Sequence, residues 1–131
     1  MEKGKVYRYK KGVYKHPFIF VRYENIERFI GCMLTSSPQT SKHPQNISME
    51  AEHFTDSERF KECDKPVVFA DSNLVRVFLI KKTSDVSDIP CGELTEAGMK
   101  FLEEEIKHKN PVDWESKEDW PEFRYVVETG R

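Results

Sequence analysis

His16 and the hydroxyl cluster Thr35-Ser36-Ser37 are the residues best suited to chemistry. A histidine exchanges a proton near neutral pH, and hydroxyls donate hydrogen bonds to anionic oxygens. His16 stands before Pro17-Phe18-Ile19-Phe20-Val21, a run of strand formers. The hydroxyls follow a second apolar run, Ile26 to Leu34. The polar Arg22-Tyr23-Glu24-Asn25 joins the two runs. This pattern predicts a hairpin of buried strands. In an antiparallel pair the start of one strand lies beside the end of the next. The hairpin would therefore bring His16 to Thr35 and Ser36.

Other elements must hold that hairpin. Lys5-Val6-Tyr7-Arg8-Tyr9 alternates as a half-exposed strand does, and Lys10-Lys11-Gly12 breaks it. Tyr7, Arg8, Tyr9, Lys10, Tyr14, Lys15 and Phe18 interleave rings and cations. Such a face suits a single-stranded nucleic acid. It suits equally an edge strand guarded by lysine, with its tyrosines on the core side. Ser36 to Asn46 is a polar loop, and Ile47-Ser48-Met49 a short strand. Asp56 opens DSERF as the cap of one helical turn. Pro66 to Ala70 reads as a strand, Asp71-Ser72-Asn73 as a turn, and Leu74 to Ile80 as the strongest strand of the second half.

The clear helix begins at Thr95, a good N-cap, with Leu94 and Met99 at the hydrophobic-staple positions. Met99, Leu102 and Ile106 form its apolar stripe, with Phe101 alongside. Lys107, His108 and Lys109 suit its C-terminal end, and Asn110-Pro111 stops it. The order of elements predicts a mainly β fold, a small curved antiparallel barrel with a C-terminal helix. Residues 1–110 form the barrel and helix. Residues 111–131 form an acidic extension with Trp114, Trp120, Phe123 and Tyr125, in which FRYVV would add a strand or dock on a partner.

The chain of 131 residues suits one domain. Its net charge of -2 is unevenly spread, basic at the start and acidic at the end. The three cysteines, Cys32, Cys63 and Cys91, form no CxxC pair, so zinc has no framework. Cys32 reads as a core residue, and the set fits a reducing cytoplasm. His43 and His53 have no partner at metal-ligand spacing and read as loop or surface histidines. No apolar run approaches the roughly 20 residues that span a bilayer. No metal or cofactor, no membrane and a cytoplasmic setting are expected.

Gly4-Lys5-Val6-Tyr7, then His16-Pro17 and a hydrophobic strand, then Leu34-Thr35-Ser36, resembles the MazF/PemK/Kid family of toxin endoribonucleases. Val67 to Ser72, the strand Leu74 to Lys82, and Gly92-Glu93-Leu94-Thr95 before a helix extend the resemblance over about residues 4 to 109. It implies an SH3-like barrel, usually a homodimer, that cuts single-stranded RNA without metal and is held by an antitoxin. It implies catalytic work at the residue before the first proline, where the family usually has arginine and this chain has His16. It implies phosphate contacts by Thr35 and Ser36. Asp71 matches the aspartate of the Kid branch, while Phe69 stands where that branch has arginine.

Cleavage of RNA by its own 2′-hydroxyl needs a base, an acid for the leaving 5′-oxygen, and donors or charge on the phosphate. His16 suits the acid or base, Thr35 and Ser36 the donors, and Asp71 an orienting or second proton-carrying group. Lys11, Lys15 and Arg76 would supply charge and Tyr14 a stacking ring. Two alternatives stay open. One is a non-catalytic SH3-like barrel that binds RNA or protein. The other is a toxin that acts on a protein target, as CcdB does.

Overall fold

The computed structural model describes residues 1–8, 10, 17–35, 47–60, 62–63 and 74–113. Its strands are β1 (Lys5–Tyr7), β2 (Phe18–Tyr23), β3 (Arg28–Thr35), β4 (Ile47–Ser48), β5 (Leu74–Lys82), β6 (Gly92–Glu93) and β7 (Val112–Asp113). They join in one sheet of order β4-β5-β3-β2-β1-β6, with β7 parallel to β5 and the other pairs antiparallel. The fold is thus a mostly antiparallel sheet with one C-terminal helix. A bridge between Phe54 and Leu94 links the segment after β4 to the β6 side. The described pairs leave the sheet open and do not close a barrel.

The hairpin forms, but Arg22 and Tyr23, expected in its link, extend β2. Phe18 pairs with Met33, Ile19 with Cys32 and Phe20 with Gly31. Its turn is made by Asn25, whose Oδ1 accepts from the N–H groups of Glu27 and Arg28, both at 2.9 Å. An Asx turn of this kind explains why Asn stands there. The turn takes in Ile26 and Glu27, so β3 begins at Arg28 and not at Ile26, whose side chain is 92% exposed at the tip.

Both faces of the hairpin are buried. Ile19, Val21, Ile30, Cys32 and Leu34 point to one face, with Leu102 and Ile106 of the helix in the same cluster. Phe18, Phe20, Phe29 and Tyr7 fill the other, with Val86. Phe18 and Phe29 have ring centroids 4.8 Å apart. Tyr7 and Phe18 are therefore core residues, 2% and 1% exposed, and cannot stack on a nucleic acid. The alternative reading of β1 holds in part: Tyr7 is on the core side, but β1 lies between β2 and β6 and is not an edge. The Tyr7 hydroxyl accepts from the N–H of Glu2 at 2.7 Å, and burial raises its pKa.

The helix α1 (Glu96–Ile106) is capped by Thr95, whose Oγ1 accepts from the Gly98 N–H at 3.1 Å. It ends three residues before Lys109, because the Lys109 N–H bonds to the Ile106 carbonyl in a tighter last turn. Its start is clamped to a 3-10 turn at Ala51–His53. Thr95 donates from its N–H to His53 O and from its hydroxyl to Glu52 O. His53 is buried here, a correction to its surface reading. Its ring stacks on Phe101 at 4.6 Å and its Nδ1 accepts from the Glu50 N–H. The expected turn at DSERF is present as a 3-10 turn over Ser57–Phe60, with the Glu58 N–H bonded to Asp56 Oδ1.

Gly98 permits that clamp, because a β-carbon there would overlap the carbonyl oxygen of His53. Alanine favours a helix over glycine by about 1 kcal/mol. Here the overlap is with backbone, which cannot swing aside. Gly98→Ala is therefore expected to destabilise the fold by about 1–3 kcal/mol. A chemical-denaturation midpoint that rises in this variant would refute the packing.

The cysteines also depart from expectation. Cys63 and Cys91 form a disulfide with Cα atoms 5.4 Å apart, leaving Cys32 as the free cysteine. Cys32 is fully buried as expected, and burial pushes its thiol up to about 12. The cysteine set thus gives no support for a reducing compartment. No helix among the described residues is long and apolar enough to cross a membrane.

Candidate functional site

Of the catalytic residues expected from the sequence, Thr35 is described, at the end of the sheet where β2 begins and β3 ends. The last bond of the hairpin there runs from the Leu34 N–H to the Pro17 carbonyl, at 2.8 Å. Proline accepts this bond with its carbonyl but has no N–H to return one to the Leu34 carbonyl. Thr35 then pairs with Leu74, the first residue of β5. Leu74 pairs on its other side with Ser48 of β4. Thr35, Leu74 and Ser48 thus form one row across three strands. At the usual strand spacing of about 4.8 Å, Thr35 and Ser48 lie roughly 10 Å apart.

Beside this row the β3–β5 ladder slips. Met33 pairs with Val77, while Leu34 pairs with Val75. Arg76 is the extra residue, a β-bulge in β5 adjoining the end of β3. A bulge bends its strand and redirects the side chains around it.

Thr35 and Arg76 are described in their backbone alone. Lys11, Tyr14, Lys15, His16, Ser36 and Asp71 lie outside the described residues. So do His43, the expected strand Pro66 to Ala70, and FRYVV. Val112 and Asp113, at the start of the acidic extension, are part of the sheet, paired with Leu79 and Ile80. Ser48 is the polar residue that sequence reasoning missed. Its strand is two residues long, and its alignment with Thr35 comes from pairing to β5, which no local pattern encodes.

No family model matches the chain, and no curated protein matches it. Among solved structures the chain is similar to an endoribonuclease from a mycobacterial species. The two share 17% identity with a TM-score of 0.49, over 85% of this chain and 95% of that one.

Proposed function

We propose that the chain is a toxin-type endoribonuclease of the MazF/PemK/Kid kind. In this reading an SH3-like barrel acts as a cytoplasmic homodimer on single-stranded RNA, without metal or cofactor, and an antitoxin protein holds it in check. Residues 1–110 form the nuclease and 111–131 an appendage to it. The observation that carries the reading is the Leu34 N–H to Pro17 carbonyl bond at the end of the hairpin. His16 is the chain neighbour of Pro17, and Thr35 that of Leu34, each one Cα step of about 3.8 Å away. Asp71 is three residues before Leu74, which pairs with Thr35.

The chemistry follows from those residue types. His16 as base takes the proton of the 2′-hydroxyl, whose oxygen attacks the adjacent phosphorus. The bond from phosphorus to the 5′-oxygen breaks, and that oxygen takes a proton from a second group, for which Asp71 is the candidate. Thr35 and Ser36 donate to the phosphate oxygens as charge builds there. Lys11, Lys15 and Arg76 supply positive charge, and Tyr14 a stacking face.

Incubation of mixed-sequence single-stranded RNA with the protein and a chelator tests this. The expected fragments carry 2′,3′-cyclic phosphate and 5′-hydroxyl ends, at a rate that chelation leaves unchanged. Intact RNA, or 5′-phosphate ends, would overturn the reading. RNA bound but uncut would move the protein to the binding modules.

A further inference from the structure

A second site lies at the far end of β2. The hairpin ladder slips there too: Phe20 pairs with Gly31, but Arg22 pairs with Ile30. Val21 is the extra residue. In a regular strand Val21 and Arg22 would face opposite sides. The bulge instead sets Arg22 opposite Ile30, which faces the α1 side with Val21. Both residues then line one cleft of about 400 Å³ between β2 and the end of α1. Its floor is apolar, built from the buried Val21 and Ile106. Its rim is cationic, with Lys3 from the N-terminal segment, Arg22 from β2, and Lys107 and Lys109 from beyond α1.

Four cations from three elements thus surround one concave surface. Glu103 is the acidic residue of the lining. It pairs with Lys3, and Lys107 pairs with Glu104 of the same helix. Exposed pairs of this sort are weak and exchange readily. The Lys109 N–H bond to Ile106 fixes the turn that carries Lys109.

We propose that this cleft takes the backbone phosphates of a single-stranded nucleic acid, as a contact separate from the His16–Thr35 end. A planar guanidinium and compact ammonium groups suit phosphate oxygens. The apolar floor suits a ribose or base between two phosphates. From Pro17 to Arg22 is about five residues, or roughly 17 Å along β2. The cleft and the cleavage end are thus separate surfaces, with the buried stretch Phe18 to Val21 between them. The choice of nucleic acid over another anion rests on the proposed ribonuclease reading.

The test measures binding of a mixed-sequence 2′-O-methyl oligoribonucleotide, which lacks the attacking hydroxyl, over a range of salt. Removing one cation that neutralises a phosphate should flatten the slope of log K against log salt by about 0.7. Lys107→Ala/Lys109→Ala should flatten it by about 1.4. Arg59→Ala, on an exposed arginine beside Glu93 and outside the cleft lining, should leave it unchanged. An unchanged slope in the double variant, or an oligonucleotide that does not bind the native protein, overturns the proposal. So does competition by inorganic phosphate that equals the oligonucleotide's, phosphate for phosphate, since that marks a single-anion pocket. A peptide of residues 114–131 that binds only when both lysines are present, with the oligonucleotide indifferent to them, gives the cleft to that acidic segment and also overturns it. Cleavage of natural RNA is scored separately. A flattened slope without cleavage keeps the cleft and removes the nuclease; cleavage with an unchanged slope does the reverse.

Discussion

Reduction of the Cys63–Cys91 bond is expected to lower the stability of the fold by about 3–4 kcal/mol. The bond closes a loop of 28 residues in sequence separation. In the chain-entropy account, a closed loop of that length restricts the unfolded chain by about this amount. The native geometry needs no rearrangement to hold it, since the Cα separation of 5.4 Å is ordinary for a disulfide. The bond also joins two parts of the core: Cys91 is buried and leads into β6, and Cys63 follows the turn at Ser57–Phe60. Urea unfolding with and without reductant measures the loss. Cys63→Ser/Cys91→Ser should show the low value in both conditions. Thiol titration gives an independent count. The native protein should show no reactive thiol, the unfolded protein one, from Cys32, and the reduced and unfolded protein three. Three thiols before reduction, with no effect of reductant on stability, would refute the bond.

This disulfide also shows where the sequence stops speaking. Cys63 and Cys91 lie in segments with no shared pattern, and only the return of the chain from β5 to β6 sets them side by side. The same holds for His53, which is buried because α1 lands on its turn. Nothing in its own neighbourhood announces that. Gly98 reads as a weak spot in a helix, although its lack of a side chain is what lets the helix dock. The features that were legible are local ones. Two short apolar runs and the polar link ending at Asn25 define the hairpin, and Thr95, Leu94 and Met99 define the start of α1. Each depends on residues within one turn or one strand of one another.

The candidate site divides along the same line. Antiparallel pairing was legible, and with it the meeting of the Pro17 and Leu34 ends. The two bulges were not, because a bulge is a mismatch between strands and leaves no mark in either alone. One bulge sets Arg76 beside the end of β3, and the other turns Arg22 toward α1. Apparent rings for stacking, Tyr7 and Phe18, went to the core instead. A buried aromatic and an RNA-facing aromatic have the same local signature when both faces of a sheet are covered.

His16→Ala is expected to lower the rate of RNA cleavage a hundredfold or more, with RNA binding nearly unchanged. The size follows from the loss of one acid–base group, which is worth about 10²–10⁴ in rate. The binding part follows from charge. A neutral histidine makes no phosphate ion pair, so its removal should leave the salt slope as it was. Removal of Lys11 or Lys15 should do the opposite, weakening binding and flattening the slope by about 0.7 for each. The pH profile separates the two roles of the histidine. A base must be unprotonated, so the rate should fall about tenfold per pH unit below the histidine's pKa. An acid gives the opposite limb, with the rate falling above that pKa. In His16→Ala the limb due to histidine should vanish, and imidazole added to the buffer should restore part of the rate. Single-turnover cleavage at saturating protein, measured from pH 5 to pH 9, reads all of these. A His16→Ala protein that cuts at the native rate, or a profile whose limb persists in the variant, would remove His16 from the chemistry. The acid–base work would then have to come from another group, for which Asp71 is the next candidate.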